Sequence, residues 1–88
     1  PSGHLPMNAC LMANMVMGED FLLRAIEAKY GLTEFPRQRQ TLQAKVHRHC
    51  AVAREAAVKR YKSGELIDFT FWSCLRSEYH KSALELLH

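Results

Sequence analysis

The chain has 88 residues, of which 48% are hydrophobic and 24% are charged, and its formal net charge is +3. This size predicts one domain, residues 1–88, and this composition excludes a disordered chain. Apolar runs stay well short of the roughly 18 residues that span a bilayer, so we expect no membrane partner. Residues 1–5 are interpreted as a tag remnant or a flexible end.

The cysteines are odd in number and far apart in the sequence: Cys10, Cys50 and Cys74. Small secreted domains carry dense, even sets of cysteines that pair as a disulfide framework. This pattern differs from such a framework, and we therefore expect a reducing, cytoplasmic setting.

The first predicted helical stretch covers residues 6–30. Gly18 interrupts it, and the acids Glu19 and Asp20 that follow favour a helix N-terminus. The stretch is therefore either one helix with a weak point or two helices that meet at Gly18. Gly31 is expected to end it. The apolar residues recur at spacings of four or seven and share one face: Met7, Leu11, Met15, Leu22 and Ile26.

The second predicted helix carries most of the positive charge. Residues 37–62 contain no Gly or Pro and hold eight of the twelve basic residues against one acid, a net charge of +7. The rest of the chain has four basic and eight acidic residues, a net charge of −4. Thr33 is the expected N-cap. A continuous apolar stripe, with small residues that let another helix approach closely, is formed by Leu42, Val46, Cys50, Ala53, Ala57 and Tyr61.

Ser63 and Gly64 are expected to end the second helix. A third helix is predicted to begin near Asp68 or Thr70, since either side chain can cap a helix N-terminus. Its inner stripe consists of Trp72, Leu75, Tyr79, Ala83 and Leu86.

These elements predict an all-α fold, a three- or four-helix hairpin or bundle with a long central helix. A helix over residues 37–62 would be about 39 Å long, whereas a compact domain of this size has a radius of gyration of about 12 Å. We expect a second copy to cover the excess length, which predicts a homodimer. Acids of the first stretch, Glu19, Asp20 and Glu27, are expected to face the basic helix.

The chain carries no motif typical of catalysis or cofactor binding, such as a Gly-x-Ser-x-Gly turn or a phosphate-binding Gly loop. We therefore expect neither an enzyme nor a bound cofactor. His47 and Cys50 share a helix face, but His49 points elsewhere, and two aligned ligands are too few for a metal site.

The preferred functional hypothesis is a small regulatory or adaptor protein that binds a protein partner by helix–helix contact. Its apolar faces exceed what one small bundle can bury, and such an excess is typical of an interaction surface. The residues assigned to the protein-partner or oligomer surface are Met7, Leu11, Met15, Phe69, Phe71 and Trp72.

The alternative hypothesis is a nucleic-acid-binding regulator that uses the basic helix, because a Lys/Arg face attracts phosphate without sequence preference. The same side chains would also suit an acidic protein partner. The residues assigned to this surface are Arg37, Arg39, Lys45, Arg48, Arg54 and Lys59.

Overall fold

A computed structural model describes the backbone of residues 7–88 and the side chains from residue 9 onward. It contains two helices, α1 over Met7–Arg60 and α2 over Gly64–Leu87, and residues 7–88 include no strand. The predicted all-α class is confirmed, and the arrangement is consistent with a helical hairpin.

A kink at Gly31 folds α1 into an N-terminal arm, residues 7–30, and a C-terminal arm, residues 32–60. Gly31 has φ 77° and ψ 173°, a region of backbone conformation that is essentially restricted to glycine. The prediction that the first helical stretch ends at Gly31 is confirmed. Gly18 lies within the helical N-terminal arm, so this stretch is one helix and not two.

The C-terminal arm and α2 run antiparallel. A disulfide joins Cys50 to Cys74, and the guanidinium of Arg54 lies 5.8 Å from the ring centroid of Phe71. The residue number rises from 50 to 54 along the arm while that of the contacting residue in α2 falls from 74 to 71. The same pairing places His49 of the arm beside α2.

The N-terminal arm runs parallel to α2. Its Gly18 lies against the backbone of Arg76, and the ring of Phe21 lies 5.3 Å from the ring of His80, so both partners advance together. The two arms of α1 therefore run in opposite directions, and the chain reverses at Gly31 and again between α1 and α2.

All three segments contribute to a single core. The N-terminal arm supplies Leu22 and Ile26, the C-terminal arm Val46 and Cys50, and α2 supplies residues of the predicted inner stripe. The fully buried side chains of α2 are Leu75, Tyr79 and Ala83. The predicted apolar faces of the three stretches therefore meet.

The Cys50–Cys74 disulfide was not foreseen in the sequence. The two cysteines are 24 residues apart in the sequence, so their spacing does not indicate a bond. The antiparallel packing of the C-terminal arm and α2 brings their Cα atoms to 5.6 Å. Cys10 is a free, exposed thiol. Because disulfides persist in oxidising compartments, the bond does not favour the reducing setting that the cysteine count predicts.

The predicted start of the last helix is wrong. Helix α2 begins at Gly64, and Ser63 is its N-cap, with the Ser63 hydroxyl oxygen accepting a hydrogen bond from the backbone N–H of Leu66 at 3.4 Å. Gly64 therefore opens a helix, where the sequence pattern predicts that it ends one. Thr70 donates its hydroxyl to the carbonyl of Leu66 within the helix and caps nothing.

The described chain is elongated. Its radius of gyration is 14.7 Å and its longest dimension is 44 Å. The C-terminal arm alone accounts for about 42 Å of that length at 1.5 Å per residue. The predicted mismatch between the long helix and a compact domain is therefore present in the single chain.

Replacement of Gly31 tests the kink. We expect Gly31→Ala to lower the free energy of unfolding by about 1–3 kcal/mol, because a side chain disfavours this backbone conformation. Gly64→Ala is the matched control, since a Cβ at Gly64 meets nothing within 4 Å and its φ is not positive. Urea denaturation of both variants measures the difference, and equal stabilities would contradict this explanation of the kink.

Candidate functional site

The outward side of the C-terminal arm is positively charged. Arg48 is two residues from both Val46 and Cys50, and Lys59 is two residues from Ala57. Two residues along a helix correspond to about 200° of rotation, so these cations point away from the buried side. We call Arg37, Lys45, Arg48, Val52 and Lys59 the outer basic face.

The cations of this face are aligned. Arg37, Arg48 and Lys59 are spaced eleven residues apart, close to three full turns, or about 16 Å. They therefore form a straight row along the arm, with Lys45 beside it. All four cationic side chains are exposed.

Most of these cations form no ion pair within the described residues, although Glu55 lies on the same face, three residues after Val52 and four before Lys59. Among the residues that the structure describes, Lys45, Arg48 and Lys59 form no ion pair. Arg37 pairs with Glu34 at 3.3 Å, but both side chains are largely exposed, and such surface pairs contribute only about 0–1 kcal/mol. The positive charge of the face is thus accessible to a partner.

Val52 lies within this charged row. It is four residues after Arg48 and seven before Lys59, and its side chain is 68% exposed. Ala44, Ala51 and Ala56 lie on the same outer half of the helix and add little bulk. The outer basic face therefore combines an exposed apolar centre with flanking cations. Sequence reasoning missed Val52, although the four- and seven-residue spacing identifies its position.

The remaining two predicted basic residues lie off this face. The Nε of Arg39 donates to Oε1 of Gln43 at 3.2 Å. Arg54 lies over the ring of Phe71 in α2, where a cation–π contact holds it. The structure therefore groups four of the six predicted cations and separates the other two.

The predicted protein-partner surface is partly used within the molecule. Met15, Phe71 and Trp72 pack against the core, and Leu11 is half-buried. Phe69 is the exposed member of the set at 36%. The side chain of Met7 lies outside the described residues. Packing within the molecule therefore buries part of the apolar surface that the sequence assigns to a partner.

A polar cluster centred on Tyr79 connects the three helical segments. Tyr79 of α2 is fully buried, and its hydroxyl lies 2.8 Å from Nε2 of His47 in the C-terminal arm. Burial, followed by the charge of Glu19 and a hydrogen bond to it, raises the pKa of Tyr79 to about 12, and the charge of Arg39 opposes this increase. The phenol therefore keeps its proton at neutral pH and serves as a hydrogen-bond donor.

The acids Glu19 and Asp20 of the N-terminal arm contact other groups than the cations of the basic helix. Asp20 pairs with Arg24 of its own arm at 3.0 Å, and Glu19 is directed to Tyr79. Between the C-terminal arm and α2, Nε2 of His49 lies 3.4 Å from Oε1 of Glu78. The expected pairing of Asp20 with the basic helix is therefore wrong, because a closer partner lies one turn away.

The described residues contain neither a metal-binding cluster nor a membrane-spanning helix. No three His, Cys, Asp or Glu side chains among them are placed to hold a metal ion, and Cys50 is engaged in the disulfide. Neither α1 nor α2 contains a stretch of sufficient hydrophobicity to cross a bilayer.

Comparison with known proteins found no relative. No protein-family model matches the chain, and no curated protein or solved structure shows significant similarity to it. Functional inference therefore depends on the geometry of the chain itself.

Proposed function

We propose that the chain is a non-enzymatic regulatory or adaptor protein that binds an acidic helix of a protein partner through its outer basic face. The observation that carries this proposal is Val52, which is 68% exposed between Arg48 and Lys59, two cations that form no ion pair within the described residues. An apolar centre with a charged rim is typical of protein interfaces.

Each part of the face has a separate role in this proposal. Burial of Val52 against an apolar side chain of the partner would supply about 1.5 kcal/mol of binding free energy. The small Ala44, Ala51 and Ala56 would let the two helices approach closely. Arg48 and Lys59 would attract acidic side chains, and such charges determine association rate and specificity more than affinity.

We further propose that the two arms of α1 and helix α2 act as a three-helix bundle that forms a homodimer. The 44 Å length of the chain supports this. Two outer basic faces would repel each other, so the dimer contact is placed at the exposed apolar residues Leu66 and Phe69 at the start of α2. A cytoplasmic location stays a prediction, and the Cys50–Cys74 disulfide does not favour it.

Nucleic-acid binding is the second candidate function. The straight row of Arg37, Arg48 and Lys59 spans about 33 Å and could neutralise successive phosphates. This mode of binding needs no apolar centre, and its affinity falls steeply with salt. The role of Val52 therefore distinguishes the two candidates.

The test adds a charge at Val52. A designed amphipathic peptide with a Leu stripe flanked by Glu, and a short DNA duplex, are each titrated by fluorescence anisotropy at low and physiological salt. We expect Val52→Lys to weaken peptide binding about tenfold, since a lost contact of 1.4 kcal/mol corresponds to that factor. Light scattering on the same samples reports the oligomeric state.

The matched control is Val58→Lys. Val58 is 53% exposed on the same helix but lies nearer α2, where it lines a depression with Arg54 and Phe71 that reaches Ala51 at the edge of the outer basic face. This variant should retain the affinity of the original chain for the peptide. Tight DNA binding that Val52→Lys strengthens, without peptide binding, would establish the alternative. Absence of binding to both probes would reject both functions.

A further inference from the structure

A groove separates the N-terminal arm from α2 on the side of the molecule away from the Cys50–Cys74 disulfide. The two helices come closest at Gly18, where an added Cβ would lie 3.3 Å from the carbonyl oxygen of Arg76. Next to this contact the surfaces diverge and leave a cavity of about 420 Å³. A shallow, open depression of about 660 Å³ on the surface of α2 adjoins it, and Ser77 and His80 line both. We call this continuous depression the α2 groove.

Part of the groove surface is apolar. Met17 is 69% exposed and Leu84 39% exposed. The ring of Phe21 is half-buried and lies against His80, with 5.3 Å between the ring centroids. Hydrophobic side chains therefore line the groove on both helices, where a hydrocarbon group could displace water.

Basic side chains accompany these apolar side chains. Arg76, His80 and Lys81 all line the groove and are exposed. Neither Arg76 nor Lys81 forms an ion pair within the described residues. One acid, Glu85, lines the groove at its far end, against the two positive charges of Arg76 and Lys81.

We propose that the α2 groove binds a free fatty acid, with its carboxylate between Arg76 and Lys81 and its acyl chain over Met17, Phe21 and Leu84. Guanidinium and ammonium groups are strong hydrogen-bond donors to a carboxylate. The cavity volumes fall in the range of roughly 300–1,000 Å³ that small-molecule sites occupy. This site goes beyond the proposed adaptor function and shares no residue with the outer basic face.

The test is a calorimetric titration of the full chain with dodecanoate below its micelle concentration. We expect saturable binding of one equivalent per groove and weaker binding of dodecyltrimethylammonium, which has the same tail and the opposite charge. NMR chemical-shift changes should centre on His80. Failure of dodecanoate to saturate, or equal affinity for the cationic analogue, would overturn the proposal.

Paired double variants separate this site from the outer basic face. Arg76→Gln with Lys81→Gln should weaken dodecanoate binding at least tenfold, and Arg48→Gln with Lys59→Gln, which removes the same charge elsewhere, should change it less than twofold. The acidic peptide should show the reverse pattern. Equal losses in both double variants would indicate nonspecific attraction and overturn the proposal.

Two further arms complete the test. Met17→Glu places a negative charge on an exposed side chain and should abolish dodecanoate binding while leaving the far-UV circular dichroism unchanged. Vesicles of phosphatidylcholine mixed with an anionic phospholipid serve as the second arm. Binding to these vesicles without binding to monomeric dodecanoate would identify a membrane surface as the ligand and overturn the assignment to a free fatty acid.

Discussion

Loss of the Cys50–Cys74 disulfide should lower the free energy of unfolding by about 3 kcal/mol. The bond closes a loop with a sequence separation of 24 between the C-terminal arm and α2. In the chain-entropy account, a cross-link over a loop of this length restricts the unfolded chain by roughly 3–4 kcal/mol. Chemical denaturation with and without reductant measures the effect.

The double variant Cys50→Ala with Cys74→Ala should reproduce the effect of reductant, and reductant should then have no further effect on it. The control is Cys10→Ser, which removes an exposed thiol outside the disulfide and should leave stability unchanged. Equal stability of the oxidised and reduced chains would show that the bond does not constrain the unfolded state.

Alkaline pH should destabilise the chain through Tyr79. The pKa of this phenol is about 12 in the folded chain and about 10 when exposed. Below pH 10 both states keep the proton, so the full stability is present. Between pH 10 and 12 the unfolded chain releases the proton first, and stability falls by about 2–3 kcal/mol.

Tyr79→Phe isolates this contribution from that of the lysines, which titrate in the same range. The variant should lose the Tyr79-dependent part of the alkaline decrease. At neutral pH it should be about 0.5–1.5 kcal/mol less stable, because the hydrogen bonds of the phenol to His47 and Glu19 are lost while water can reach both partners. Tyr30→Phe is the control, since Tyr30 is 36% exposed. Stability curves from pH 8 to 12 that coincide with those of the original chain would contradict the assigned role of Tyr79.

The sequence predicts the helices and their buried faces well. The spacing of Leu22 and Ile26, of Val46 and Cys50, and of Leu75 and Tyr79 identifies the side chains that meet in the core. The 3.6-residue period determines which face is apolar, so a pattern of local spacings is sufficient. The end of the first helical stretch at Gly31 can be predicted for the same reason, because the backbone conformation of one glycine is a local property.

Contacts between segments could not be predicted in the same way. The disulfide requires the chain reversal between α1 and α2 to place Cys50 opposite Cys74, and no local spacing encodes that alignment. The cluster of Glu19, His47 and Tyr79 likewise depends on three segments meeting. The predicted start of α2 was wrong for a different reason. Ser63, Asp68 and Thr70 can all cap a helix N-terminus, and packing selects Ser63 among them.

The outer basic face is intermediate between these cases. The six candidate cations of the basic helix were identified from the sequence, but only the structure shows that Arg54 contacts Phe71 while Arg48 and Lys59 point outward. The exposure of Val52 depends on which side of the arm α2 and the N-terminal arm cover. That choice is made by packing between helices.

The central claim is that the outer basic face binds a partner helix around Val52. The most direct measurement is the ratio of the dissociation constants of Val52→Lys and Val58→Lys for the acidic helical peptide. Both changes add one positive charge to one exposed valine of the same helix. We predict a ratio of about ten, whereas a ratio of about one would contradict the claim.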